Sequence, residues 1–477
     1  MKILFVATEA APFIKSGGLG DVVGALSKEL VNQGEDVRVI LPKYKDIKEC
    51  YKREMKHLKY IFINVGWRRQ YCGIETLKYK NVTYYFVDNE YYYNRDGVYG
   101  YYDDAERVAF FDRAVLEIIP EINWYPDIIH CNDWQTGMLP ALYKLEYKYK
   151  YPCKDIKIVF SIHNLFFQGN YNKYILPELF GYDMQPFYNK SVEFYGDVSF
   201  MKAALTYSDR ILTVSESYAR EIQTPEYGER MDGLLRSRGW DLQGIVNGID
   251  YEDYNPEDDN FIAAKYNFDS IENKKVNKRE LQKELGLEVL ENTPIISLVT
   301  RLTKQKGIDL IRDCIEEVLQ GDVQLVVLGT GASEYEDYFR YLENKYRGKV
   351  VSIINFDIEL SHRIYASSDM FLMPSAFEPC GLGQLIALRY GTIPIVRETG
   401  GLRDTIEAFN KFEVRGNGFS FYNYSSKELL NCITKAMNIY SQKDMWNEII
   451  KNAMESDFSW NKSANKYKEM YRNLLRY

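Results

Sequence analysis

The chain is short of the residues that build metal and disulfide sites. Its 477 residues hold four histidines (His57, His130, His163 and His362) and seven scattered cysteines, none in Cys-x-x-Cys spacing. A structural zinc site or a dithiol redox pair therefore has few ligands to draw on. An odd cysteine count without a secretion signal fits reduced thiols in the cytoplasm. Excess positive charge is missing too. Lys+Arg 60 against Asp+Glu 68 gives a net charge of −8, the wrong balance for a generic binder of nucleic acid or anionic membrane. A membrane-length apolar run is absent from the amino terminus, where MKILFVATEAAPF soon reaches Glu9 and lacks the layout of a signal peptide. What remains is an ordinary globular composition, 46% hydrophobic and 27% charged, in a chain too long for one core. That length predicts two or three domains. Tyrosine is abundant at 41 residues; carbohydrate sites use aromatic faces, but a compositional bias explains the number equally well.

Short β-rich runs alternate with longer amphipathic stretches, the pattern of parallel α/β architecture. In the first half the predicted strands are 2–7, 37–41, 61–65, 83–87, 128–130, 156–162 and 210–214, with helices over 21–32 and 104–119. Several strands show no polar alternation, as expected when helices cover both faces of a sheet. Between Asn247 and Pro294 the sequence turns charged and loses apolar periodicity until a short helix over 279–285. Strand–helix alternation then restarts at 295–299, 324–328, 350–354, 370–373 and 393–396. Two such series predict two Rossmann-like domains, 1–250 and 251–458. A helix over 459–477 could pack on either of them.

In open parallel sheets ligands bind beyond the carboxyl ends of the strands. Lys15-Ser16-Gly17-Gly18-Leu19-Gly20-Asp21 lies soon after the first strand and just before a helix. Such a loop can bring backbone N–H groups and a lysine to a phosphate, or it can be a glycine turn with a helix-capping aspartate. It does not meet the dinucleotide fingerprint G-x-G-x-x-G, and no Walker loop is present, which argues against a nicotinamide dehydrogenase. Arg301 to Gly307 (RLTKQKG) places Arg301 and Lys306 at a strand exit. Arg301 could clamp a diphosphate with Lys306 as a point charge, or the loop could be merely solvated. His130-Cys131-Asn132-Asp133-Trp134-Gln135 and Ser161-Ile162-His163-Asn164 each set a histidine and an asparagine at a strand end. The run 374–384 (PSAFEPCGLGQ) puts Glu378 between a strand and a helix over 382–390, and Glu398-Thr399-Gly400-Gly401 adds a loop at the same edge.

Taken together and in order, KSGGLGDV, HCNDW, SIHNLFFQG, TVSESYAREI, GIVNGID, TRLTKQKG, FEPCGLGQL and ETGGLRDT resemble bacterial glycogen synthases and plant starch synthases over essentially the whole chain. The resemblance implies a GT-B α/β fold, two Rossmann-like domains with parallel sheets facing across a cleft and a terminal helix that returns to the first domain. It implies transfer of glucose from ADP-glucose, a co-substrate, to the non-reducing end of glycogen or a linear α-1,4-glucan, with retention and without a metal. By position, Arg301 and Lys306 are expected on the diphosphate, with Lys15 and the Gly17–Gly18 loop reaching it from the other domain. His163 is expected at the glucose 6-hydroxyl, Asn164 and Asn247 along the sugar, and Asp21 at acceptor or glucose. Asp133 is expected among the substrate-binding residues. Glu378 is expected on ribose or sugar hydroxyls, Gly381 and Leu382 as backbone donors, Cys380 beside the glucose, Thr399 among the substrate-binding residues, and Phe356 against the base.

The chain also departs from the family pattern. Asn132 and Gln135 replace histidines, Ala376 stands where many relatives carry arginine, and Ile386 replaces the second glutamate of other retaining GT-B enzymes. No carboxylate is evidently placed as a covalent nucleophile, unlike the paired acids of glycosidases, so a front-face displacement is expected. Three rivals are a UDP-glucose transferase, a phosphorylase, which would need a lysine-bound pyridoxal phosphate, and a catalytically silent glucan binder.

Overall fold

A computed structural model describes residues 1–150 and 155–476, which form two compact units: Met1–Ile245 with Trp460–Tyr477, and Val246–Ser459. Tyr477, the end of the expected terminal helix, lies outside the described residues.

The first unit is built on a nine-stranded sheet. Its spatial order is Leu242–Gly244, Arg210–Thr213, Lys157–Ile162, Ile128–Asn132, Lys2–Val6, Asp36–Pro42, Val82–Asp88, Arg68–Tyr79 and Lys56–Val65. The first seven pair in parallel, while Arg68–Tyr79 and Lys56–Val65 form an antiparallel ribbon at one edge. Ile3, Leu4, Phe5 and Val6 are all essentially inaccessible, so a strand buried on both faces reads as an unbroken apolar run. Strand order reverses between Lys2–Val6 and Ile128–Asn132, leaving a crevice at their carboxyl ends. The ribbon strand Arg68–Tyr79 escapes sequence reading because RRQYCGIETLKY mixes charge with its apolar positions. Gly66, at φ 58, makes its turn, and a Cβ there would lie 1.8 Å from the Glu178 carbonyl oxygen.

The terminal helix Trp460–Arg476 packs on this first unit through Trp460, Ala464, Tyr467 and Tyr471, one stripe at helical spacing. Each fully buried aromatic contributes about 1.5–3 kcal/mol. Tyr471 also places its hydroxyl 2.6 Å from His130 Nδ1.

The second unit holds six parallel strands in the order Val350–Ile353, Gln324–Leu328, Ile295–Val299, Met370–Met373, Ile393–Arg397 and Phe419–Phe421. Its reversal point falls between Ile295–Val299 and Met370–Met373. The helix expected over 279–285 instead spans Lys274–Glu284. Its inward face carries Lys274, Asn277, Lys278 and Gln282 beside Leu281, so no apolar period announces it. Lys274 Nζ donates to the carbonyls of Tyr365, Ala366 and Tyr390 and to Thr392, at 2.8–3.1 Å. Burial holds that amine down at about 7.

Candidate functional site

Both reversal points collect the residues singled out from sequence. In the first unit the loop after Lys2–Val6 runs to the helix Gly18–Asn32, capped by Gly17. Lys15, Ser16, Gly17 and Gly18 are exposed, and a Cβ on Gly17 would meet nothing within 4 Å. Lys15 Nζ donates to Asp21 Oδ1 at 2.7 Å, and Asp21 sits in the first turn, where the helix dipole favours a carboxylate. The loop hangs on Glu9, which sequence reading passed over. This buried carboxylate accepts from the Ser16 N–H, from Ser16 Oγ at 2.7 Å, from the Gly17 N–H at 3.3 Å and from Tyr99 Oη at 2.6 Å. The available signal was an acidic side chain directly after an apolar strand, since a carboxylate there needs donors.

The neighbouring strand exits bring Asp133, His163 and Asn164 together. Asp133 takes φ 59, strained for a non-glycine residue. Its Oδ1 accepts from the N–H groups of His163 at 2.8 Å and Asn164 at 3.3 Å. Burial pushes its carboxyl up to about 7 despite those two bonds, with Glu9 adding in the same direction. Burial likewise pushes the His163 imidazole down to about 4, so it is neutral at ordinary pH. His163 Nε2 lies 3.0 Å from Asn132 Oδ1. Asn164 Oδ1 accepts from the Phe166 N–H at 3.1 Å.

In the second unit Lys306 and Glu378 meet at the reversal point, Nζ to Oε2 2.5 Å, and Ser375 Oγ donates to the same oxygen at 3.0 Å. Both side chains are largely buried, 13% and 7% accessible, so each needs the other. Gly307 positions Lys306 at φ 73 with its Cβ position 2.1 Å from the Pro374 carbonyl oxygen; only glycine lets the two loops approach so closely. Gly400 and Gly401 pack in the same way on Glu378 and Cys380: a Cβ on each would lie 2.0 and 2.1 Å from the respective carbonyl oxygens. Thr399 is buried at the cap of the helix Gly400–Thr405. Gly381 is at φ 77, Leu382 caps the helix Gly383–Arg389, and burial pushes the Cys380 thiol up to about 12 although the Asn247 N–H reaches it. Asn247 is 5% exposed, and its Oδ1 is buried without a hydrogen-bond partner. A buried orphan acceptor of this kind fits a ligand hydroxyl. Arg397, another residue the sequence did not single out, donates to the Ser375 and Ala376 carbonyls at 3.4 and 2.6 Å and so braces the loop that carries Glu378.

Two further predicted residues are exposed. Arg301 is exposed, with a 3.5 Å contact to Gln305 Oε1. Phe356 is 73% exposed on the loop after Val350–Ile353, two strands from Ile295–Val299 at the same sheet edge. Among the described residues no group of three or more His, Cys, Asp or Glu is placed to hold a metal ion, and no helix is long and apolar enough to cross a membrane.

Comparison with known proteins agrees with this division. Residues 2–237 match the starch synthase catalytic domain, and residues 279–455 match glycosyl transferases group 1. The chain is 59% identical to a glycogen synthase of Clostridium botulinum over 99% of each chain. It is also 59% identical to a glycogen synthase of Clostridium perfringens, over 100% of this chain and 99% of the relative. Among solved structures, the catalytic domain of Starch Synthase IV from Arabidopsis thaliana, bound to ADP and acarbose, superposes with a TM-score of 0.92 at 33% identity, covering 100% of this chain and 99% of that one. With a likeness this deep along its whole length, and with two Rossmann-like units of the GT-B class, the chain belongs to the glycogen synthase family of glycosyltransferases.

Proposed function

We propose that this chain transfers glucose from ADP-glucose to the non-reducing end of an α-1,4-glucan, retaining the anomeric configuration and releasing ADP. The observation that carries the reading is the Lys306–Glu378 pair at the second reversal point, beside the orphan acceptor of Asn247. Lys306 spends one of its three N–H donors on Glu378 and keeps two for a diphosphate. Arg301, with an exposed guanidinium, is free to swing onto the same phosphates. These cations stabilise the charge that develops as the bond from C1 to the phosphate oxygen breaks, the task a metal ion performs in other transferases. Phe356 offers an open aromatic face to the base. The likeness to a starch synthase bound to ADP supports adenine as that base.

Transfer proceeds on one face of the sugar. The acceptor hydroxyl oxygen bonds C1 as the phosphate leaves, and its proton passes to the departing phosphate oxygen. Asp133, with its raised carboxyl tied to two backbone N–H groups, serves as a structural clamp and not as a nucleophile. His163 presents a neutral imidazole to the glucose. The reaction needs no resident metal or cofactor in this reading. The six described cysteines are free, in keeping with a cytoplasmic protein.

The test is incorporation of labelled glucose from ADP-glucose and UDP-glucose in parallel, with a maltooligosaccharide primer and with chelator present or absent. The expected result is chelator-insensitive incorporation from ADP-glucose. A clear preference for UDP-glucose sinks the donor assignment, and a mass-spectrometric glucosyl adduct on Glu378 or Asp133 sinks the one-face mechanism.

A further inference from the structure

The surroundings of Asn132 give it a definite task. It is 1% exposed at the end of the strand Ile128–Asn132. Its Nδ2 donates to the Val6 carbonyl and to the His130 carbonyl, both at 3.1 Å. Those two carbonyls fix which way round the amide sits, because the flipped amide would press Oδ1 against two acceptors. Oδ1 therefore faces His163 Nε2 at 3.0 Å and can only accept. The neutral imidazole must carry its single proton on Nε2, and Nδ1 is left with a lone pair.

We propose that Asn132 is a positioning residue that locks His163 in the Nε2–H tautomer, so that Nδ1 accepts a hydrogen bond from a hydroxyl of the donor glucose. This rests on the reading that His163 meets the sugar. It makes the histidine a hydrogen-bond acceptor for a neutral hydroxyl and not a proton donor to the leaving group. The groups around the ring leave that assignment undisturbed. His130, on the same strand as Asn132, is held by Tyr471 Oη and Ser161 Oγ, both at 2.6 Å, and burial pushes it down to about 3. Asp133 is engaged with the His163 and Asn164 N–H groups. Glu9, from the loop after Lys2–Val6, accepts from Ser16, Gly17 and Tyr99. Tyr218, on the helix Glu216–Glu221, accepts from the Leu165 N–H at 3.1 Å.

The chain has only four histidines, so histidine-selective ¹⁵N labelling of the full-length protein gives an imidazole spectrum in which loss of one signal set in His163→Gln assigns His163. The expected spectrum shows His163 protonated at Nε2 alone, unchanged between about pH 5.5 and 8.5. A proton on Nδ1 in the unaltered protein overturns the proposal without any variant having to fold. In Asn132→Leu the tautomers should mix, and kcat with ADP-glucose should fall roughly 10–100-fold, with KM within about threefold. In Asn132→Asp the new carboxylate should stabilise the imidazolium, shifting the acidic limb of kcat upward by about one pH unit or more. Unchanged tautomer and kcat in Asn132→Leu also overturn the proposal. His163→Ala separates the two levels of argument. If it transfers glucose at the unaltered rate, the placement of His163 at the sugar is wrong. If it is inactive while Asn132→Leu is normal, only the role of Asn132 is wrong.

Discussion

The two reversal points share a topology and differ in electrostatics. In the second unit the loops around Gly307 and Gly400 hold an ion pair, Lys306 with Glu378, with further donors from Ser375 and Arg397 behind it. In the first unit burial acts against charge: it drives His163 down to about 4 and Asp133 up to about 7. The same strand-exit geometry thus serves two chemistries. One crevice presents fixed positive charge where a diphosphate must be held and released. The other sets a neutral His163 imidazole beside a carboxyl held up at about 7, groups that can hydrogen-bond the hydroxyls of a sugar.

The largest expected effect comes from breaking the ionic side. Lys306→Ala removes a fixed charge from the leaving group, and incorporation from ADP-glucose should fall about 10²–10³-fold. The same change leaves the Glu378 carboxylate buried without its partner, so thermal stability should drop as well. Adding Glu378→Gln should restore the melting temperature and leave activity lost, which separates the structural from the chemical role. Breaking the neutral side comes next. His163→Ala should cost about 10²-fold in kcat.

A smaller effect belongs to Phe356→Ala, where loss of one stacking face, about 0.5–1.5 kcal/mol, should raise KM for ADP-glucose about 3–10-fold and leave kcat alone. The smallest is a pH effect on stability. Asp133 is raised to about 7 in the folded chain from about 3.9 when unfolded. Between those values the folded state keeps a proton that the unfolded state has lost, so this group removes stability as pH rises from about 4 to about 7. His163, lowered to about 4 from about 6.5, acts in the opposite sense and removes stability as pH falls through its window. Asp133→Asn should flatten the first slope, leaving the variant about 1–2 kcal/mol less pH-dependent over that range in denaturant titrations.

Most of this was readable from the sequence where the signal was apolar or glycine-rich. The buried strands Lys2–Val6 and Ile295–Val299 read as unbroken apolar runs, and the ligand loops were marked by glycines that close packing demands, as at Gly307 and Gly400. Polar burial was invisible. The helix Lys274–Glu284 buries a lysine face, and the strand Arg68–Tyr79 alternates charge with its core positions. The supporting residues Glu9 and Arg397 were missed, and Asn132 was noted without a role, for a related reason. Their hydrogen bonds reach partners distant in sequence, Glu9 to Tyr99, Asn132 to Val6 and Arg397 to Ala376, which local spacing does not report. Asn132 was seen only as a departure from a family pattern, and its tertiary contacts are what give that departure a meaning.

The division of labour between the two crevices is tested most directly by calorimetric titration of ADP into the unaltered protein, Lys306→Ala and His163→Ala, alongside glucose incorporation. The account predicts at least a tenfold loss of ADP affinity in Lys306→Ala. In His163→Ala it predicts affinity within about twofold of the unaltered chain, while incorporation falls about 10²-fold. If His163→Ala loses ADP as fully as Lys306→Ala does, the neutral crevice is holding the nucleotide, and the assignment of charge to one unit and sugar chemistry to the other is wrong.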